Sequence, residues 1–421
     1  MRPLSAARTI SPPPVTVSLL RTKRYGVFWI ASLLSNIGTW MQQVAQPWVI
    51  LSMTRSSFLV GLDSFALNSP GWIFTLLGGS LADRLNRKKL ILVCQLIQFF
   101  CVLAMLMLLI VHRLQIWMII TFSFLIGTTD SLSMPAFQSI IPSLVTKKEI
   151  PRAVTLNSTQ YNLSRILGPV IAGVIMASFG AVACFGANAF SYLPFFIALF
   201  WIYPKPKAGE GQRRSKEHVL SASDSYRSLL KIVPIRSPLS TIFVTSLFCG
   251  PLTTFCPVLI KDVFHADVGR FGGAIAALGL GGLLGAGSSF FLFKMELSRS
   301  RLATGFAILL GLVLILISLN RSLLLLSPLM VVAGICMTLS SISAGSYLQE
   351  TASNESRGKM VSLSQLAMQL GISAGGLLTG LVANHFGVAT AFLVNGSTAV
   401  ALQSLILILG RPDKALPAIH I

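Results

Sequence analysis

The sequence predicts an all-α membrane protein, twelve transmembrane helices in two six-helix bundles, and three observations carry that prediction. Of its 421 residues 53% are hydrophobic and only 11% charged, against roughly 25% charged in ordinary soluble domains. So few charges could not cover the surface of a soluble chain with polar groups. The apolar residues gather into runs long enough to cross a bilayer, and a polar stretch near the middle divides them six and six. The two halves also resemble each other at a fixed spacing. The net charge of +20, from 33 Lys+Arg against 13 Asp+Glu, would suit a nucleic-acid binder. A mean hydropathy of +0.76 would not.

An apolar helix of about 20 residues crosses the hydrocarbon core. Spans are read at 25–50, 57–81, 90–111, 115–137, 160–179 and 182–203, then at 239–260, 270–293, 302–319, 322–346, 361–383 and 388–409. The N-terminal bundle is therefore 25–203 and the C-terminal bundle 239–410, with tails at 1–24 and 411–421. Residues 1–24 carry five Lys/Arg and a Pro12-Pro13-Pro14 run, which is not the pattern of a signal peptide. The stretch 204–238 holds Pro204, Pro206, Gly209, Gly211 and eight Lys/Arg. It reads as a cytoplasmic linker with a short amphipathic helix near 226–232.

With the N-terminus in the cytoplasm, 28 of the 33 Lys/Arg fall on that side, Arg165 counted just inside span 5. The other side holds Arg55, Arg113, Lys261, Arg270 and Arg321. By the positive-inside rule both termini are cytoplasmic, in a cytoplasmic (inner) membrane. Residues 150–190 align with 357–397 without a gap at a spacing of 207. Gly168, Gly173 and Gly180 meet Gly375, Gly380 and Gly387, and Asn188 meets Asn395. Val60-Gly61 and Val268-Gly269 stand 208 apart. Two halves of the same orientation make a parallel repeat, which places a substrate site at their interface near the midplane.

Polar side chains inside spans are costly and therefore informative. Asn36, Thr39, Gln43 and Gln46 share one face of span 1, and Thr128, Ser131, Pro135 and Gln138 one face of span 4. Ser362, Gln365, Gln369 and Ser373 form a third stripe in span 11. They suit a substrate pathway or, equally, hydrogen bonds that hold helices together. Asp63 and Asp130 are the candidates for proton coupling, since a carboxylate held out of water can alternate between protonated and ionised as access switches. Asp63 could instead sit wet at the cavity mouth, and Asp130 could belong to a structural network with Arg165 or Arg84.

A short loop joins spans 2 and 3, within Gly79-Ser80-Leu81-Ala82-Asp83-Arg84-Leu85-Asn86-Arg87-Lys88. Gly79 permits close helix approach, and Asp83 is the lone acid among Arg84, Arg87 and Lys88, suited to a latch that breaks when the halves rock. A solvated loop that only fixes topology is the alternative. The segment resembles the signature G-x-L-A-D-R-x-G-R-K of the major facilitator superfamily. Asn86 departs from its glycine, and asparagine tolerates a left-handed turn. Span 5, with Ser164-Arg165-Ile166-Leu167-Gly168-Pro169 and Ala172-Gly173, is similar to the superfamily's antiporter motif; Pro169 bends the helix, and the small residues allow close packing. Asp130 to Val145 resembles the branch of enterobactin exporters and macrolide efflux proteins.

That resemblance implies a secondary active transporter exporting a small organic molecule, siderophore or drug-like, in exchange for protons. An importer or facilitator of the same fold, or a membrane receptor or scaffold, stays open. No enzyme is expected, for no nucleophilic triad or catalytic loop is present. Nor is a cofactor or ATP expected, since Gly78-Gly79 and Gly281-Gly282 lack a following Gly-Lys-Ser/Thr. The six cysteines and five histidines show no metal or disulfide spacing and read as hydrophobes and loop residues. The partners expected are substrate, protons and the lipid bilayer, with no nucleic acid.

Overall fold

The computed structural model describes residues 17–72, 74, 86–146, 149–201, 233–294, 298–352 and 357–409. After a 3-10 turn at Val17–Arg21 come α1 (Lys23–Thr54), α2 (Ser57–Asn68), α3 (Arg87–Ile110) and α4 (Ile116–Leu144). The continuous stretch Ile150–Trp201 is two helices divided at Gly180, α5 before it and α6 after it. In the second half α7 (Val233–Phe248) resumes as Pro251–Val258 and a π turn, Leu259–Val263. Then follow α8 (Val268–Leu292), α9 (Arg299–Leu319), α10 (Leu323–Thr351), α11 (Arg357–Phe386) and α12 (Val388–Leu409). Among the described residues nine helices are long and apolar enough to cross a membrane, one of them the double-length Arg152–Trp201. The remaining two of the expected spans are α1, 32 residues long, and α2, described over 12.

The repeat is visible in the backbone. Gly180 and Gly387 both have positive φ, 76° and 83°, where each half turns from its fifth helix into its sixth. An L-residue with a Cβ is strained in that region, so glycine at both positions follows from the turn itself. Phe179 and Phe386, just before the two turns, are both largely exposed. Large apolar side chains such as Phe100, Phe190, Trp201, Leu324 and Ile408 cover the outside of the bundles, as a lipid solvent requires.

Lipid tails are as apolar as leucine, so helices here associate through close packing and buried hydrogen bonds. Within the first half, Tyr25 Oη donates to the Ala153 carbonyl at 2.7 Å, and Trp29 Nε1 to that of Leu156 at 2.9 Å, tying α1 to α5. These ties lie below residue 160, and α5 starts ten residues earlier than the span read at 160–179. Arg165 is therefore a mid-helix residue and not one at the cytoplasmic mouth. The orientation argument loses one charge and keeps its sense. α7 likewise begins at Val233, inside the stretch 204–238 read as linker. Its Ile235 is 2% exposed and packs with Leu348, Ala352 and Met360 at the ends of α10 and α11.

Two seams join the bundles. Along α2 and α11, Gly61 lies against Gly376 and Gly380; along α5 and α8, Gly173 lies against Gly272. In both, a β-carbon on the glycine would meet a backbone carbonyl across the seam. The seams lie toward the end of the molecule that carries the α1–α2 and α11–α12 turns. There Ser56 Oγ donates to Asn384 Oδ1 at 3.3 Å, Lys261 Nζ donates to the Leu51 carbonyl at 3.3 Å, and Trp48 stacks on Phe271 at 5.3 Å. That end is closed.

Candidate functional site

Asp63 stands six residues into α2, about 9 Å along the axis at 1.5 Å per residue. It is 4% exposed. Gln46 Nε2, from α1, donates to Oδ1 at 2.9 Å and Oδ2 at 2.8 Å, and Ser123 Oγ, from α4, donates to Oδ1 at 2.6 Å. Gln46 Nε2 is also 2.8 Å from Ser123 Oγ. Behind it, Gln46 Oε1 accepts from Gln42 Nε2 at 3.2 Å, and Gln42 Oε1 accepts from Asn188 Nδ2 on α6 at 2.7 Å. Ser191 Oγ closes the chain on Asn188 Oδ1 at 3.3 Å. Four helices thus meet through one buried polar network. Among the described residues no lysine or arginine pairs with Asp63; the ion pair present joins Arg299 and Glu350. Asp63 is not wet at a mouth.

A carboxylate held only by neutral donors is stabilised by hydrogen bonds roughly twice as strong as neutral ones, without a fixed counter-charge. The same partners can serve the protonated acid, because a hydroxyl and a primary amide can each accept as well as donate. Asp63 faces α1 and α4, while Gly61 and Ser64, within a turn of it, face α11 at Gly376. A change of charge at this carboxylate is therefore one helix width from the seam.

Asp130 is exposed although it lies in the middle of α4. The expected network of Asp130 with Arg165 is not formed. Arg165 points away across the bundle interface, donating from Nη2 to Ser341 Oγ on α10 at 3.1 Å and from Nη1 to Met368 Sδ on α11 at 3.5 Å. Arg84, with Gly79 and Asp83, lies outside the described residues.

The polar stripes are divided by the structure. In α1, Gln46 joins the network, but its partner is Gln42; Gln43 is exposed, Asn36 is half-buried, and Thr39 Oγ1 returns to the Ser35 carbonyl at 3.1 Å. In α4, Thr128 and Ser131 bond their own helix at Phe124 and Gly127, at 2.8 and 2.7 Å, and Gln138 is exposed. In α11, Gln365 is half-buried, and the Gln369 amide reaches Gly71 beyond the end of α2, where a β-carbon would also lie 3.6 Å from Ser131 Oγ. Gln369 and Ser131 are thus brought together across the two bundles.

Within the α5 motif, Gly168 packs against Trp40 of α1, Pro169 lies inside the helix and Gly173 forms the α5–α8 seam. At the start of α3, Arg87 Nη1 donates to the Ser139 carbonyl at 3.3 Å, and the amides of Lys88 and Lys89 donate to Asn86 Oδ1 at 3.1 and 3.3 Å. Asn86 has φ −65° and ψ 112°, so it caps the helix and makes no left-handed turn. Sequence reasoning missed Ser123 as a partner of Asp63, and Gln42 and Asn188 as the groups behind Gln46. Gln42 was visible four residues before Gln46, the spacing of one helical face, and Asn188 as a matched position of the repeat. Ser123 carried no signal.

The pattern of the transmembrane secretion effector family matches residues 15–416. The staphyloferrin A transporter of Staphylococcus aureus is 25% identical over 92% of this chain and 96% of its own. The multidrug efflux pump Tap of Mycolicibacterium fortuitum is 23% identical over 92% and 98%. The enterobactin exporter EntS of Citrobacter koseri is 27% identical over 65% of this chain and 64% of its own. Among solved structures, a nucleoside transporter NupG superposes with a TM-score of 0.73 at 12% identity, over 92% of this chain and all of that one. A D-xylose–proton symporter superposes at 0.67 and 14%, over 92% and 97%, which shows the shared fold. The chain therefore belongs to the transmembrane secretion effector family of the major facilitator superfamily, and it is a multi-pass membrane transporter of small molecules and not an enzyme.

Proposed function

We propose that this transporter is a proton-coupled exporter of small organic molecules in the cytoplasmic membrane, with both termini in the cytoplasm. The observation that carries the reading is Asp63: a buried carboxylate with neutral partners, set beside the α2–α11 seam. Ionised, it accepts from Gln46 and Ser123 and draws α1, α2 and α4 together. Protonated, it becomes a donor, the amide and hydroxyl reorient, and α2 is freed to shift against α11. Exchange requires that the carrier protonated from the outer side turn toward the cytoplasm and release the proton there, and that the deprotonated, substrate-loaded carrier turn outward; the change of partners at Asp63 would link the two movements. Export is supported by relatives named for siderophore export and drug efflux. The basic loops support the orientation, and the loop containing Asp83, Arg84 and Arg87 is proposed as the latch on the cytoplasmic side.

The test is flux of a cationic probe, rhodamine 6G, and an anionic one, carboxyfluorescein, in proteoliposomes with an imposed pH gradient, scored on whichever probe the wild type carries faster than protein-free vesicles. The wild type should accelerate flux when the gradient is present, and Asp63→Asn should abolish that acceleration while retaining slow exchange. Undiminished gradient-driven flux in Asp63→Asn overturns the role of Asp63. Flux indifferent to the gradient in the wild type overturns proton coupling.

A further inference from the structure

Arg165 is a half-buried charge that the network at Asp63 does not use. It lies 15 residues into the stretch that opens at Ile150, about 22 Å along a helix of about 45 Å, and so inside a hydrocarbon core of about 30 Å wherever that helix is seated. A cation at that depth is costly and calls for a counter-charge. A guanidinium offers five N–H donors in a planar fork. Here it finds one hydroxyl, Ser341 Oγ at 3.1 Å, and one thioether, Met368 Sδ at 3.5 Å. A thioether is a weak acceptor, and neither partner carries charge. Among the described residues Arg165 has no acid within ion-pair distance.

The position adds a second constraint. Arg165 comes from one bundle, and its two acceptors come from α10 and α11 of the other. It is half-buried, so part of the fork remains reachable. Tyr161 lies one turn away and packs edge-on against Trp40 at 6.2 Å, which lines the approach with aromatic surface. The surroundings combine an under-satisfied planar cation with aromatic and thioether groups, at the interface where a parallel repeat places its substrate.

We infer that Arg165 is the anion-binding group of the substrate site and that this transporter takes organic molecules bearing a carboxylate. A carboxylate matches the fork with two parallel hydrogen bonds and supplies the missing charge. The organic body would lie against Tyr161 and Met368. When the anion arrives, the bonds from Arg165 to Ser341 and Met368 are exchanged for bonds to substrate, so binding loosens a tie between the bundles at the moment the site fills. This inference names the substrate class for the transport proposed above and rests on that reading, but its test needs no transport.

The experiment is equilibrium binding of carboxyfluorescein to the full chain in nanodiscs, read by fluorescence anisotropy, with thermal unfolding of each variant measured alongside. The wild type should bind saturably. Arg165→Gln should bind at least tenfold more weakly, and Arg165→Lys, which keeps the charge and loses the fork, should fall between. Ser341→Ala, which removes only the tie to the second bundle, should bind within threefold of the wild type. Absence of saturable binding by the wild type overturns the inference, as does Arg165→Gln binding within twofold of it. Equal weakening in Arg165→Gln and Ser341→Ala also overturns it, since Arg165 would then act as a tie alone. Rhodamine 6G flux under a pH gradient, alongside absent carboxyfluorescein binding, would overturn the anion site and leave the exporter standing.

Discussion

The glycine seams make a prediction whose size follows from the geometry. A β-carbon on Gly173 would run into the Gly272 carbonyl oxygen and would lie 2.9 Å from Ala276 N and 3.1 Å from Ala276 Cβ. Two of these three atoms are backbone, so rotating a side chain cannot relieve the contact and the helices must part. Overpacking of this kind costs about 1–3 kcal/mol. If the seam separates in the alternate state, the whole cost falls on the closed state. At about 1.4 kcal/mol per tenfold, Gly173→Ala should shift the closed-to-open ratio by about 5- to 150-fold. The assay is electron–electron distance measurement between spin labels at Ser56→Cys and Asn384→Cys, which flank the other seam and are hydrogen-bonded at 3.3 Å in the native chain. Gly305→Ala, where a β-carbon meets nothing within 4 Å, is the control. Gly173→Ala should move the distribution to longer distances and Gly305→Ala should not. Identical distributions in the two variants would refute the argument that these glycines hold this end closed.

Gln46→Ala leaves Asp63 with Ser123 as its remaining side-chain donor, so it should lower stability by about 1–3 kcal/mol, read as the thermal midpoint in detergent. Asn86→Ala should cost about 1 kcal/mol and Asn86→Gly only a few tenths, as for an N-cap; a gain from Asn86→Gly would instead indicate a left-handed turn. Gly180→Ala and Gly387→Ala should each cost about 1–2 kcal/mol from positive φ, and the two losses should match in thermal denaturation because the turns are equivalent.

The equivalence of the halves ends at their polar interiors. Asn188 and Asn395 occupy matched places in the repeat, yet Asn188 bonds Gln42 on the first helix of its half, and Asn395 bonds Thr379 on the fifth of its own at 2.8 Å. In the second half, Gln403 Nε2 reaches the Thr241 carbonyl and Thr245 Oγ1 at 3.2 and 3.1 Å, and the Thr241 and Thr304 hydroxyls meet at 3.1 Å. Those pairs are neutral and serve as bonds between helices. The first half carries Asp63, Asp130 and Arg165. The fold is shared between the halves; among the described residues the second half's ion pair, Arg299 with Glu350, lies at helix ends, while Asp63, Asp130 and Arg165 lie within helices of the first.

The sequence by itself determined the solvent, the two-bundle plan and the places where the chain must turn. Those properties depend on one-dimensional quantities: the length of apolar runs, the sign of loop charges, and glycine at the two matched turns, Gly180 and Gly387. It also marked Asp63, Gln46 and Arg165, because a polar group within a span is costly wherever it points. Only the tertiary structure decided their partners. A helix advances 100° per residue, so whether Gln42 or Gln43 faces Asp63 depends on how α1 is rotated against α2 and α4, and no local pattern fixes that rotation. For Arg165, the ten extra residues of α5 moved a charge from the end of a helix to its middle, and the packing of α10 and α11 placed a hydroxyl and a thioether where an acid was expected. Span counting reads distance along the chain; the chemistry of this transporter depends on distance between helices.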